Sequence, residues 1–241
     1  MLDLSLTAWL IAILIVLLGS ILQSTTGFGL GLVTAPVLVL IDPTLVPTVI
    51  LGIAVPLALL MVVRERHEFD IHAAKWALTG RLIGAAAGSW AVVVLGSREL
   101  SIAFALSLLV AVAVSASGFK GGGGSTGVMA TAGFLSGVMG TVTSIGGPMM
   151  ALALQHETGP RLRTMMASFL AFGGLLSLIL LAIVGEFRPR EMALAAILAP
   201  ITLIGLFVSR WTVKILDQGA VRPAILAFAS IAAVLILGRT L

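Results

Sequence analysis

The chain has 241 residues, 59% of them hydrophobic and only 10% charged, and its mean hydropathy is +1.19. An average soluble domain carries about 25% charged residues, so this composition excludes a protein whose whole surface faces water. Cysteine is absent, which excludes disulfides, thiolate metal sites and cysteine nucleophiles, and the net charge of +4 lies mostly in short loops, where it sets membrane topology rather than binding nucleic acid.

In chain order, apolar segments are predicted at 6–23, 28–41, 44–63, 72–95 and 100–118. Five more follow at 126–141, 144–155, 162–185, 191–212 and 220–238. Several reach the roughly 20 residues needed to cross a bilayer. The first shows no small-residue cleavage site after Leu10 to Leu22 and is read as structure, not as a cleaved signal. The second, sixth and seventh, at about 12–16 residues, suit half-helices, re-entrant pieces or strongly tilted elements. Between the fifth and sixth, Lys120 followed by Gly121 to Gly124 and Ser125 forms a flexible linker. The predicted organisation is a transmembrane repeat at 1–118, a Gly-rich linker at 119–126 and a second repeat at 127–241.

The halves resemble each other. The first holds Ser24, Thr25, Thr26, Gly27, Phe28, Gly29 and Gly31 before Pro36; the second holds Gly140, Thr141, Thr143, Ser144, Gly146, Gly147 and Pro148. Leu82-Ile83-Gly84 with Trp90 matches Leu203-Ile204-Gly205 with Trp211 at a constant offset of 121. Internal repeats of this kind build many secondary transporters. Loop charge then tests the number of crossings. With five alternating segments per half, nine Lys and Arg residues collect on one face (Arg64, Arg66, Lys75, Lys120, Arg161, Arg163, Arg210, Lys214, Arg222) and four on the other (Arg98, Arg188, Arg190, Arg239). The positive-inside rule favours that biased arrangement. Five is odd, so the second half is expected to be inverted and both termini to face away from the cytoplasm.

All ten acids are expected in loops or near segment ends, leaving no carboxylate inside a segment for a proton relay or a cation. The histidines form no metal-ligand spacing, and no metal or cofactor is expected. What remains inside is polar but neutral, plus one cation. Gln23, Ser24, Thr25 and Thr26 are four consecutive hydrogen-bonding side chains next to Gly27 and Gly29, and Thr141, Thr143, Ser144, Gly146 and Gly147 repeat the idea. Glycines let a helix break and bring backbone N–H groups close to a ligand, and helix N-termini attract anions. The competing reading is that Ser, Thr and Gly only pack helices closely. Arg81 lies some ten residues into the fourth run, about 15 Å along a helix. It either binds an anion through its guanidinium fork, or snorkels toward Lys75 or pairs with carbonyls of a broken helix. His156, after the seventh segment, is a second-rank residue for proton coupling.

The stretches Thr26-Gly27-Phe28-Gly29-Leu30-Gly31-Leu32-Val33-Thr34-Ala35-Pro36 and Gly140-Thr141-Val142-Thr143-Ser144-Ile145-Gly146-Gly147-Pro148 resemble the TauE/SafE family, also called the toluene sulfonate uptake permease family. Length and two-half layout match over nearly the whole chain. Thr25, Thr26, Thr141 and Thr143 stand where the family carries a denser glycine run. The resemblance implies passage of sulfite, a sulfonate or sulfoacetate across a bacterial inner membrane, without implying direction.

The resulting expectation is an all-α integral membrane fold of two inverted repeats of about five helical segments, with short broken or re-entrant helices near the midplane. Its partners are a small anionic substrate and the lipid bilayer, not nucleic acid, and a homo-oligomer is allowed. The function expected is alternating-access transport of a small sulfur anion. The alternatives are an anion channel, a carrier of another small organic anion and an intramembrane enzyme.

Overall fold

The computed structural model describes residues 4–64, 71–117, 125–216 and 221–240. In them the chain forms α1 (Leu6–Thr26), α2 (Leu30–Ile41), a 3-10 turn (Pro43–Leu45), α3 (Thr48–Arg64), α4 (Ile71–Val94) and α5 (Ser97–Ala116). The second half forms α6 (Thr126–Thr143), α7 (Gly147–Ala153), α8 (Gly159–Ile183), α9 (Pro189–Leu216) and α10 (Val221–Thr240). No strand occurs among the described residues. The Gly-rich linker at Lys120 to Gly124, together with Glu65, Glu68, Asp70, Asp217 and His67, lies outside them.

Six stretches are long and apolar enough to cross a membrane: α1, Pro43–Arg64, Lys75–Val94, α5, α8 and Pro189–Thr212. The outer surface is apolar as well, with Leu10, Leu14, Ile83, Trp90, Phe207 and Trp211 exposed. In lipid every backbone polar group needs an internal partner, and helices supply it within one segment. The chain is a multi-pass all-α membrane protein.

Both short helices arise from breaks with the same local chemistry. α1 ends at Thr26 and Gly27 takes the left-handed conformation (φ 93°), while Gly29 has φ 125°. α6 ends at Thr143 and Ser144 is left-handed (φ 62°). Thr26 Oγ1 donates to Leu22 O at 3.0 Å and accepts from Phe28 N at 3.5 Å. Thr143 Oγ1 donates to Met139 O at 2.6 Å and accepts from Ile145 N at 3.2 Å. Each threonine thus closes its own helix and starts the turn out of it. α2 then folds back along α1, where Thr34 Oγ1 donates to Ile15 O at 3.3 Å.

The halves interlock as an inverted pair. Arg64, at the end of α3, donates to Ser24 O of α1 at 3.1 Å and Ser209 Oγ of α9 at 3.4 Å, so these three helices converge at one end of the bundle. α4 runs beside α6 in the same direction: Gly80 meets Ala130, Gly84 meets Phe134 and Gly88 meets Val138. α4 of the first half packs on α6 of the second, and α9 of the second packs on α1 of the first; α3 pairs with α8 and α5 with α10. A two-fold relation between the halves produces that exchange of partners. Thr48 Oγ1 donates to Glu186 O at 3.2 Å, Arg190 pairs with Asp42 at 3.0 Å and Arg98 Nε donates to Thr240 O at 3.2 Å. Arg98, Arg188, Arg190 and Arg239 therefore gather at the end opposite Arg64, Arg163 and Arg210.

Candidate functional site

The two breaks meet. A Cβ on Gly31, in the first turn of α2, would run into the carbonyl of Ser144, and one on Gly147 would lie 2.8 Å from Cβ of Phe28. Ser144 Oγ also donates to Pro47 O at 3.0 Å, tying the second break to the start of α3. Gly27, Gly29, Ser144, Gly146 and Gly147 are thus brought into one region from both halves.

Arg81 belongs to this region and is 2% exposed. Its Nη1 donates to Ser136 O at 2.6 Å and to Ser136 Oγ at 2.9 Å; Ser136 Oγ donates in turn to Gly146 O at 2.7 Å. The guanidinium fills space left by glycines: a Cβ on Gly140 or Gly146 would lie 2.7 Å from Nη1, and one on Gly173 would overlap Nε. Phe169 of α8 presents its ring 5.3 Å from Cζ, a favourable cation–π contact. Arg81 does not reach toward Lys75; it pairs with a carbonyl of the helix that breaks. Its Nε has no hydrogen-bond partner.

The hydroxyls divide into two groups. Thr25 Oγ1 donates to Leu22 O at 2.8 Å and Thr141 Oγ1 shares a hydrogen bond with Ser177 Oγ at 2.7 Å. With Thr26 and Thr143, all four threonines are engaged within the protein. Gln23 Nε2, Ser24 Oγ and Ser168 Oγ are buried without a partner. A buried orphan donor costs about 1–3 kcal/mol, so each of these three atoms is a local cost to the fold as it stands. Sequence reading picked out Gln23 and Ser24 but missed Ser136, Ser168 and Phe169. Ser136 had a signal, since it lies in the small-residue row Gly133, Ser136, Gly137 and Gly140; Ser168 had none. His156 is exposed in the turn after α7, beyond the breaks.

A cavity of about 320 Å³ at the Arg188 end of the bundle is lined by residues of both halves, Val142 among them. Exposed Thr44, Ser97 and Arg188 stand at its rim, with Thr48, Phe104 and Glu191 along its wall. Phe28 packs against Met150, Met165, Met166 and Phe169 in an apolar cluster. Among the described residues, Asp42, Glu99, Glu157, Glu186 and Glu191 lie in loops or at helix ends, as expected. Glu191 is in the first turn of α9, yet it is only 4% exposed.

The family model described as "Sulfite exporter TauE/SafE" matches residues 11–236. No curated protein and no solved structure matches the chain.

Proposed function

The chain belongs to the TauE/SafE sulfite exporter family of membrane transporters, and from that premise we propose that it is a permease for a small sulfur-containing anion of the sulfite, sulfonate or sulfoacetate type. The observation that carries the reading is the junction of the two helix breaks around a buried arginine. In this reading the anion lies at the junction, Arg81 supplies the positive charge, and Gln23 and Ser24 donate from the end of α1. The α2 N-terminus has no side-chain cap, which leaves its first amides available to oxygen ligands. Gly27, Gly29, Gly146 and Gly147 hold the backbone close, while Thr25, Thr26, Thr141, Thr143 and Ser144 fix the shape of the breaks.

The transport mode in this reading is alternating access. The cavity that Val142 lines opens at the Arg188 end. Rocking of one half against the other around the junction would reverse that state, as in other inverted-repeat carriers. In this reading the charge bias turns the Arg64 end toward the cytoplasm of a bacterial inner membrane and both termini toward the periplasm.

Flux of labelled sulfite, an alkyl sulfonate and a carboxylate control in proteoliposomes tests the function. The expected result is saturable, sulfur-selective flux that unlabelled substrate on the far side accelerates. Flux that rises linearly with concentration, at rates far above a carrier's, would identify an anion channel. Vesicles with correctly folded protein and no flux would remove the permease reading.

A further inference from the structure

Two arginines reach the helix breaks, and the proposed transport cycle uses only Arg81. The other is Arg64, the last residue of α3. Its Nη2 donates to Ser24 O of α1 at 3.1 Å and its Nη1 to Ser209 Oγ of α9 at 3.4 Å. The last intrahelical bond of α1 runs from Gly27 N to Gln23 O at 2.8 Å. Ser24 O is therefore the first carbonyl that the helix itself leaves unpaired, and Arg64 takes it. The carbonyl end of a helix carries a partial negative charge of about half an elementary charge. α1 has no basic residue of its own in its last turn, so the cation there comes from α3. The second break is held in a comparable way: Arg81 donates to Ser136, whose hydroxyl donates to Gly146 O.

We infer that Arg64 is a positioning residue of the anion site, which neutralises the carbonyl end of α1 so that Gln23 and Ser24 can face an anion. The inference rests on the permease reading, which places the anion against those two side chains. An anion beside the bare end of α1 meets the negative pole of the helix dipole, and that repulsion offsets what two neutral donors contribute. With a guanidinium on Ser24 O the same end is positive on balance. Arg64 also fixes where Ser24 stands, because the bond is to that residue's own backbone. A strut that only packed the repeat architecture would recur in the second half. At the offset of 121 that equates Gly84 with Gly205, Arg64 falls on Gly185.

The test is equilibrium binding of labelled sulfite and isethionate to the detergent-purified full chain, alongside the unfolding temperature, which shows whether each variant is folded. Arg64→Met keeps an extended side chain but loses the charge and the donors, and is expected to raise Kd about ten-fold, as loss of one hydrogen bond to a charged group does. Arg64→Lys keeps a charged donor for Ser24 O and is expected to stay within about three-fold of wild type. Ser209→Ala removes the bond to α9, keeps the bond to α1, and is expected to leave Kd unchanged. If Arg64→Met is not recovered folded, Arg64→Gln supplies the neutral comparison. A wild-type Kd in a folded neutral variant would overturn the role. So would a lysine variant that binds as weakly as the neutral one, or an equal rise in Kd in Ser209→Ala, which would assign the effect to loosening of the bundle. Absence of binding of either anion by the wild type would instead remove the permease reading itself.

Discussion

Gly84→Ala is expected to cost about 3 kcal/mol or more, at or beyond the upper end for an overpacked core. The reason is geometric. On α4 a Cβ at Gly84 runs into the carbonyl of Phe134, and the nearest atoms are all backbone, which cannot rotate away as a side chain can. Gly80 stands in the same relation to Ala130, and Gly133 to Ala77, so α4 and α6 touch backbone to backbone over several turns. Such close approach is how membrane helices associate where apolar burial gives no advantage over lipid. A methyl group forces the helices apart and with them Arg81, which is held between the two. Gly127→Ala is the control: a Cβ there meets nothing within 4 Å, and the gain in helix propensity, up to about 1 kcal/mol, should raise stability slightly. Apparent unfolding temperatures in detergent decide the matter. Equal losses at Gly84 and Gly127 would show that backbone contact is not what holds α4 to α6.

The second large effect is at Arg81, where fold and transport can be separated. Arg81→Ala empties the glycine-lined space and releases Ser136, and removal of a large buried side chain costs roughly 2–5 kcal/mol. Arg81→Met fills the same space with a flexible apolar chain, and replacing a buried charge in this way is often neutral for stability. The expected outcome is that Arg81→Ala is poorly folded, while Arg81→Met is folded and transports at least about ten-fold more slowly, a difference of 1.4 kcal/mol. Wild-type flux in Arg81→Met would assign the guanidinium to structure alone.

Much of the fold was legible because lipid imposes one strong rule on sequence. The segment predicted at 6–23 became Leu6–Thr26, and those at 72–95 and 100–118 became Ile71–Val94 and Ser97–Ala116. Of the three segments predicted as short, the second and seventh are the two helices that follow the breaks, whereas the sixth is an 18-residue helix, Thr126–Thr143. At the two breaks, helices outlast their apolar runs. α1 continues through Thr25 and Thr26, and α6 through Thr143, because those hydroxyls return hydrogen bonds to their own helix and need no water. α3 begins later than predicted because Pro43–Leu45 forms a separate turn. Pro160 and Pro189 let α8 and α9 begin earlier than apolarity suggested, since proline suits the first helical positions.

The site was legible only at the level of segments. Gly, Ser and Thr at the breaks announced close backbone approach, and Gly31 does lie against the Ser144 carbonyl. Which hydroxyl closes a helix and which stays unpartnered depends on its angular position around the helix and on what the other half brings against it. Thr25 and Ser24 are adjacent in sequence, yet one is satisfied by its own turn and the other has no partner. Arg81 could be singled out as a charge in an apolar run. Its partner Ser136 is supplied by the second half, 55 residues away, and could not be named before the two halves were placed together.

The junction of the breaks as an anion site is tested most directly by ligand-induced stabilisation of the wild type and of Gln23→Leu. A ligand that binds only the folded state adds roughly 2.7 kcal/mol at 100 times its dissociation constant. Sulfite or a sulfonate is predicted to raise the unfolding temperature of the wild type, and a carboxylate control is not. Gln23→Leu should unfold at the wild-type temperature or above without ligand, since it removes an unpartnered buried amide, and should lose the sulfur-anion shift. An undiminished shift in Gln23→Leu, or none in the wild type with any sulfur anion, would contradict the account.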